Sequence, residues 1–90
     1  MKDGTIADVI NGAILWHVTV VQGRLTIQRG RATRKPYLTR DADLVVDVMW
    51  KPEGYVQRKK TWPMKDVFAT HAGARAEYDA RQAAGERGEP

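Results

Sequence analysis

The chain has no cysteine, no serine and a single phenylalanine among its 90 residues. Without cysteine it forms neither a disulfide framework nor a thiolate metal site, so the fold must rest on apolar burial. Without serine there is no serine nucleophile. The glycines do not fall into a phosphate-loop pattern, and no paired acids sit beside a strand end, so hydrolase chemistry has no motif. The two histidines, His17 and His71, stand apart with no further ligand at metal-binding spacing. Neither a metal nor a cofactor is expected, and catalysis ranks third behind two binding readings. Long apolar runs are also missing. No stretch approaches the ~18 residues that cross a bilayer, and Met1-Lys2-Asp3-Gly4 lacks the start of a signal peptide. A cytoplasmic protein with no membrane partner is the expectation.

The most informative absence is that of acid between Gln22 and Arg40. This segment carries Arg24, Arg29, Arg31, Arg34, Lys35 and Arg40, while the whole chain has a formal net charge of only +4. A second basic run, Arg58-Lys59-Lys60, lies further on. Charge gathered in this way points to a polyanionic partner.

What is present suffices for one domain. A hydrophobic content of 42% with 29% charged residues is that of a folded globular chain, not of a disordered one. Residues 14–21 are rich in β-branched and aromatic types, and so are residues 25–27 beyond Gln22-Gly23. A two-residue loop there predicts a hairpin pairing Val21 with Arg24, Thr19 with Thr26, Val18 with Ile27, His17 with Gln28 and Trp16 with Arg29. Residues 29–37 have few apolar anchors and read as an exposed loop. From Ala42 to Trp50 the alternation sets Leu44, Val46, Val48 and Trp50 on one face. Pro52-Glu53-Gly54 then predicts a bulged turn, with Trp50 opposite Val56 and Asp47 opposite Lys59 as a charge pair.

Residues 62–84 predict a helix capped by Thr61, with Pro63 in its first turn and seven alanines from Ala69 onward. Met64, Val67, Phe68, His71, Arg75 and Tyr78 form its core-facing stripe. Residues 5–11 fit a short capped helix or a strand, with the helix preferred. Trp16 and Trp50 fall on apolar faces and read as core. Trp62 has no clear assignment.

The fold class that follows is α+β: a small antiparallel sheet of four or five strands with two hairpins, packed by one C-terminal helix. A small SH3-like barrel plus helix is the alternative closure. Residues 1–85 form the single domain and 86–90 a flexible tail. The expected function is that of a small basic nucleic-acid-binding accessory protein, of a kind that suits a phage or mobile element, contacting DNA or RNA phosphates. Its candidate contacts are Arg24, Arg29, Arg31, Arg34, Lys35, Tyr37, Arg40, Arg58, Lys59 and Lys60, with Tyr37 able to stack on an unpaired base. The alternative is a protein-binding or inhibitor module presenting the same loop to an acidic surface. A sheet this small leaves an edge that a second copy can cover, which keeps a homodimer open.

Overall fold

The computed structural model describes residues 1–50 and 58–85. It contains strands β1 (Ile14–Val21), β2 (Arg24–Ala32), β3 (Tyr37–Leu38), β4 (Leu44–Trp50), β5 (Arg58–Pro63) and β6 (Val67–Phe68), followed by helix α1 (His71–Ala83). All pairings are antiparallel. β5 runs along one side of β4, while the other side is shared by β2 near Trp50 and by β3 near Leu44. β2 pairs with β1, and β1 with β6. A single 3-10 turn, Met64–Asp66, carries the chain from β5 to β6 at the far side of the sheet. So short a link between opposite edges curls the sheet into a half-barrel packed against α1, part of the way to a closed barrel.

The first hairpin has the register its sequence predicts, from Val21 opposite Arg24 to Trp16 opposite Arg29 and on to Ile14 opposite Arg31. Gln22 and Gly23 both take positive φ, 51° and 76°, the signature of a type I′ turn. The turn's twist matches that of the strands, and this outweighs the poor fit of glutamine to the left-handed region.

The curl sorts the apolar residues into two clusters on opposite faces. Leu15, Ala32, Val46, Val48, Trp62, Met64 and Val67 fill the inner face, with Val9 closing one end. Val18, Leu25, Phe68 and Ala74, with half-buried Trp16, Ile27 and Tyr78, form the outer cluster beneath α1. Trp62, 3% exposed, is the buried tryptophan, whereas Trp16 and Trp50 are half-buried. Its ring lies against β2 at Gly30, where an added Cβ would stand 2.8 Å from the indole and 3.0 Å from Val48 Cβ. Only glycine leaves that space.

The C-terminal helix begins later than the sequence predicts. Residues 62–68 are not helical: Trp62 pairs with Val46, Phe68 with Trp16, and Val67 with His17. Burial on two faces of a sheet satisfies Met64, Val67 and Phe68 better than one helical stripe does, because both clusters need them. Thr70, not Thr61, caps α1, accepting a hydrogen bond from the Gly73 amide at 3.0 Å. His71 and Arg75, placed by their spacing on the core side, are exposed, and Ala74 is the helix residue in the core. The N-terminus clasps this junction. Lys2 N–H donates to the Val67 carbonyl at 2.9 Å, and Asp3 accepts from the Ala69 amide and, at 2.6 Å, from the Thr70 hydroxyl. Residues 5–11 hold only the 3-10 turn Ile6–Asp8, after which Val9 enters the core.

Two further corrections concern the middle of the chain. Residues 29–32 belong to β2 and 37–38 to β3, so the segment read as one loop is largely strand. The second hairpin is offset by two residues: Asp47 pairs with Thr61, not Lys59, Met49 with Lys59, and Trp50 with Arg58, while Val56 lies outside the described residues. The Pro52-Gly54 turn itself lies outside the described residues. Among the described residues, no helix is long and apolar enough to cross a membrane.

Two substitutions test this packing. Gly30→Ala should cost about 1–3 kcal/mol, as overpacked cores do, because Trp62 and Val48 are both hemmed in. Gln22→Asn should instead stabilise by a few tenths to about 1 kcal/mol by suiting the left-handed turn. Urea denaturation reads both, and a neutral Gly30→Ala would remove Trp62 from its place against β2.

Candidate functional site

Strand register sorts the candidate cations by face. In β2 the side chains alternate, so the residues flanking inward-facing Gly30 point outward; these are Arg29 and Arg31, both exposed. Arg31 is opposite Met49, and Met49 opposite Lys59. One row across three strands therefore reads Arg31, Met49, Lys59 on the outer face, the two cations about 10 Å apart at the backbone. Next to this row lie Thr33, Asp47 and Thr61, and beyond them Tyr37 with the Arg34 guanidinium 4.4 Å above its ring. Lys35 is exposed between β2 and β3. The outer face thus gathers Arg29, Arg31, Arg34 and Lys59, from both basic segments of the sequence, beyond the area covered by α1.

The other candidates lie elsewhere. Arg58 and Lys60 pair with Trp50 and Val48 and so belong to the inner side, where the Lys60 ammonium lies 5.3 Å over the Trp50 ring. Arg24 adjoins the tip of the first hairpin, and Arg40 is in the exposed turn before β4. Among the described residues, Arg29, Arg31, Arg34 and Lys35 have no carboxylate partner.

Asp47 organises this face, a role that the sequence reading assigned only in part. It is 5% exposed and accepts hydrogen bonds from the Tyr37 hydroxyl and the Thr61 hydroxyl, both at 2.8 Å. Its backbone carbonyl accepts from the Thr33 amide and hydroxyl. The Lys59 ammonium reaches the carboxylate diagonally at 3.9 Å, so the expected charge contact exists without direct pairing. Burial pushes the Asp47 carboxyl up, but the Tyr37 and Thr61 hydrogen bonds and the charges of Lys59 and Arg34 outweigh it, holding the group below its ordinary value. The same hydrogen bond to Asp47 raises the Tyr37 phenol. One buried anion thus fastens β3, β4 and β5 together beneath a basic surface.

A second polar feature lies at the free edge of β1 beyond β6, a 390 Å³ cleft lined by Lys2, His17, Val18, Thr19, Asp66, Glu77 and Arg81. Its ion pairs are internal: Lys2 contacts Glu77 at 2.5 Å and Arg81 contacts Glu77 at 3.9 Å, while Arg81 also donates to the Val18 carbonyl at 3.0 Å. His17 stacks at a tilt on Trp62, ring centroids 5.1 Å apart, and its Nδ1 is buried without a partner among the described residues. Burial lowers its pKa, aided by Arg81 and Lys2 and opposed by Asp66 and Glu77. Among the described residues, no group of three or more His, Cys, Asp or Glu side chains is placed to hold a metal ion.

No protein-family model matches the chain, and neither a curated protein nor a solved structure shows significant similarity to it.

The two perturbed groups give stability a pH dependence with a definite sign. The folded state resists protonation of His17, so its contribution is complete above the ordinary imidazole pKa near 6.5 and is lost as pH falls below it. Asp47, held low, contributes above the ordinary carboxylate range and loses that contribution as pH falls through its folded value. Melting temperature measured from pH 8 to 3 should therefore fall in two stages. His17→Phe should flatten the upper stage and Tyr37→Phe weaken the lower. An upper stage that survives His17→Phe would show that another group drives it.

Proposed function

We propose that the protein binds nucleic acid through the outer face of its half-barrel, with Arg29, Arg31 and Lys59 as the central phosphate contacts and Arg34 and Lys35 at the margin. The observation that supports this most is the row Arg31, Met49, Lys59. It joins two basic segments that are remote in sequence on one surface, and among the described residues no acid inside the cluster is left free to repel a polyanion. Asp47, the nearest carboxylate among the described residues, is buried, with Oδ1 taken by the Tyr37 and Thr61 hydroxyls and Oδ2 3.9 Å from the Lys59 ammonium. Arginine suits such a role because its forked donors match phosphate oxygens, and strand positions hold the charges in fixed register. Contacts of this kind read the backbone and not the bases, so binding is electrostatic and weakly selective for sequence. Arg58 and Lys60 are peripheral in this reading, since they face the other way.

The test separates face from charge. Replacing Arg29, Arg31 and Lys59 with alanine should reduce the slope of log affinity against log salt by about 2.7 for duplex DNA, at ~0.9 per phosphate contact. Arg58→Ala with Lys60→Ala should reduce it by well under 1. Fluorescence anisotropy at several salt concentrations measures both, with melting temperatures to establish folding. Equal losses per charge from the two faces would reject the outer-face site. Absence of salt-sensitive binding by the parent protein at low ionic strength would reject nucleic acid as the partner.

A further inference from the structure

We infer that the outer basic face takes double-stranded in preference to single-stranded nucleic acid, an inference that rests on the nucleic-acid reading and names its substrate class. Proteins that hold single strands combine a basic groove with open aromatic rings on which unpaired bases stack. Here the rings among the described residues are committed elsewhere. Two aromatic residues of the described outer face stand beside the cations, half-buried Trp16 opposite Arg29 and Tyr37, and Tyr37 spends its hydroxyl on Asp47 at 2.8 Å and has the Arg34 guanidinium 4.4 Å over its ring. Trp62 and Phe68 are buried at 3% and 5% exposure. Trp16 meets the His71 ring edge-on at 4.8 Å beside α1, and Tyr78, on α1, faces the Arg75 guanidinium at 5.2 Å. Trp50 lies on the inner side under Lys60. Among the described residues, a base arriving at the outer face therefore finds cations, a methionine and two rings, Trp16 and Tyr37, that already contact another side chain.

The placement of the cations favours the duplex for a second reason. Arg29, Arg31 and Lys59 project from paired strands, which fixes their spacing before any ligand arrives. A duplex presents a stiff and dense array of phosphates, about one charge per 1.7 Å of axis. A single strand presents fewer charges per unit length and must be ordered to match a fixed set of cations, at a cost in conformational entropy that stacking would otherwise offset. The expected stacking role of Tyr37 gives way to one of holding β3 against β4.

Anisotropy titrations of a labelled 20-base-pair duplex and of labelled 20-nucleotide oligothymidine, at matched low salt, test this. The duplex should bind at least tenfold more tightly per molecule and with the steeper salt slope. Tyr37→Leu, in a variant shown to remain folded, should change single-strand and duplex binding by the same factor, because without base stacking the ring affects both only through its contact with Arg34. Single-strand affinity equal to or above that of the duplex, or a loss in Tyr37→Leu that is confined to the single strand, would overturn the duplex preference while leaving nucleic-acid binding intact. Failure of both probes to bind would overturn the underlying reading as well.

Discussion

The indole of Trp62 needs strand β2 to be bare where the two meet, and the rest of the molecule follows from that contact. Trp62 stands on an edge strand, yet its ring reaches across the inner face to Gly30 and Val48. A flat sheet would leave this large ring over open space; a curled one closes around it, with Met64 and Val67 completing the cluster. Because the chain passes from β5 to β6 through one 3-10 turn, the curl and the burial of Trp62 are a single event. The same requirement explains the triplet Arg29-Gly30-Arg31. Alternation along a strand makes the inward position glycine and leaves its two neighbours pointing out. A packing demand on the inside thereby fixes two arginines on the outside.

Asp47 does for the outer face what Trp62 does for the inner. A carboxylate this deeply placed is tolerable only when its oxygens are engaged, and Tyr37, Thr61 and Lys59 engage them from β3 and β5. The short strand β3, only two residues long, has little ladder of its own and depends on this tie. Arg34 stacks on Tyr37 and is held at the margin of the basic surface by the same link. Asp47 thus orders cations around itself while remaining out of reach of an arriving anion.

What the sequence disclosed was local. Residues 14–27 carried both a clean alternation and a two-residue turn, and with those two constraints agreeing the register could be read residue by residue. The contact Asp47–Lys59 was legible as charge, but its geometry was not, because the offset of β5 depends on how many residues separate the strands. The segment Trp62 to Phe68 misled for a different reason. Met64, Val67 and Phe68 have helical spacing, but they also suit a chain crossing between two cores, and only the distant partners Val46, Trp16 and His17 decide between these. The basic residues were legible as a set, whereas their division between two faces was not. That division follows from strand parity, and parity in residues 29–32 was hidden once the stretch read as a loop.

If the outer face, and not the inner one, meets the ligand, the chain's three methionines are well placed to report it. Met49 lies between Arg31 and Lys59 on the outer face, Met64 is buried in the inner cluster, and Met1 packs at its margin. Methyl NMR of the protein labelled at methionine, titrated with a short DNA duplex, reports on each position separately. The Met49 resonance should shift progressively with added duplex while those of Met64 and Met1 stay in place. Saturable duplex binding that leaves the Met49 methyl unmoved would rule out the outer face as the contact surface.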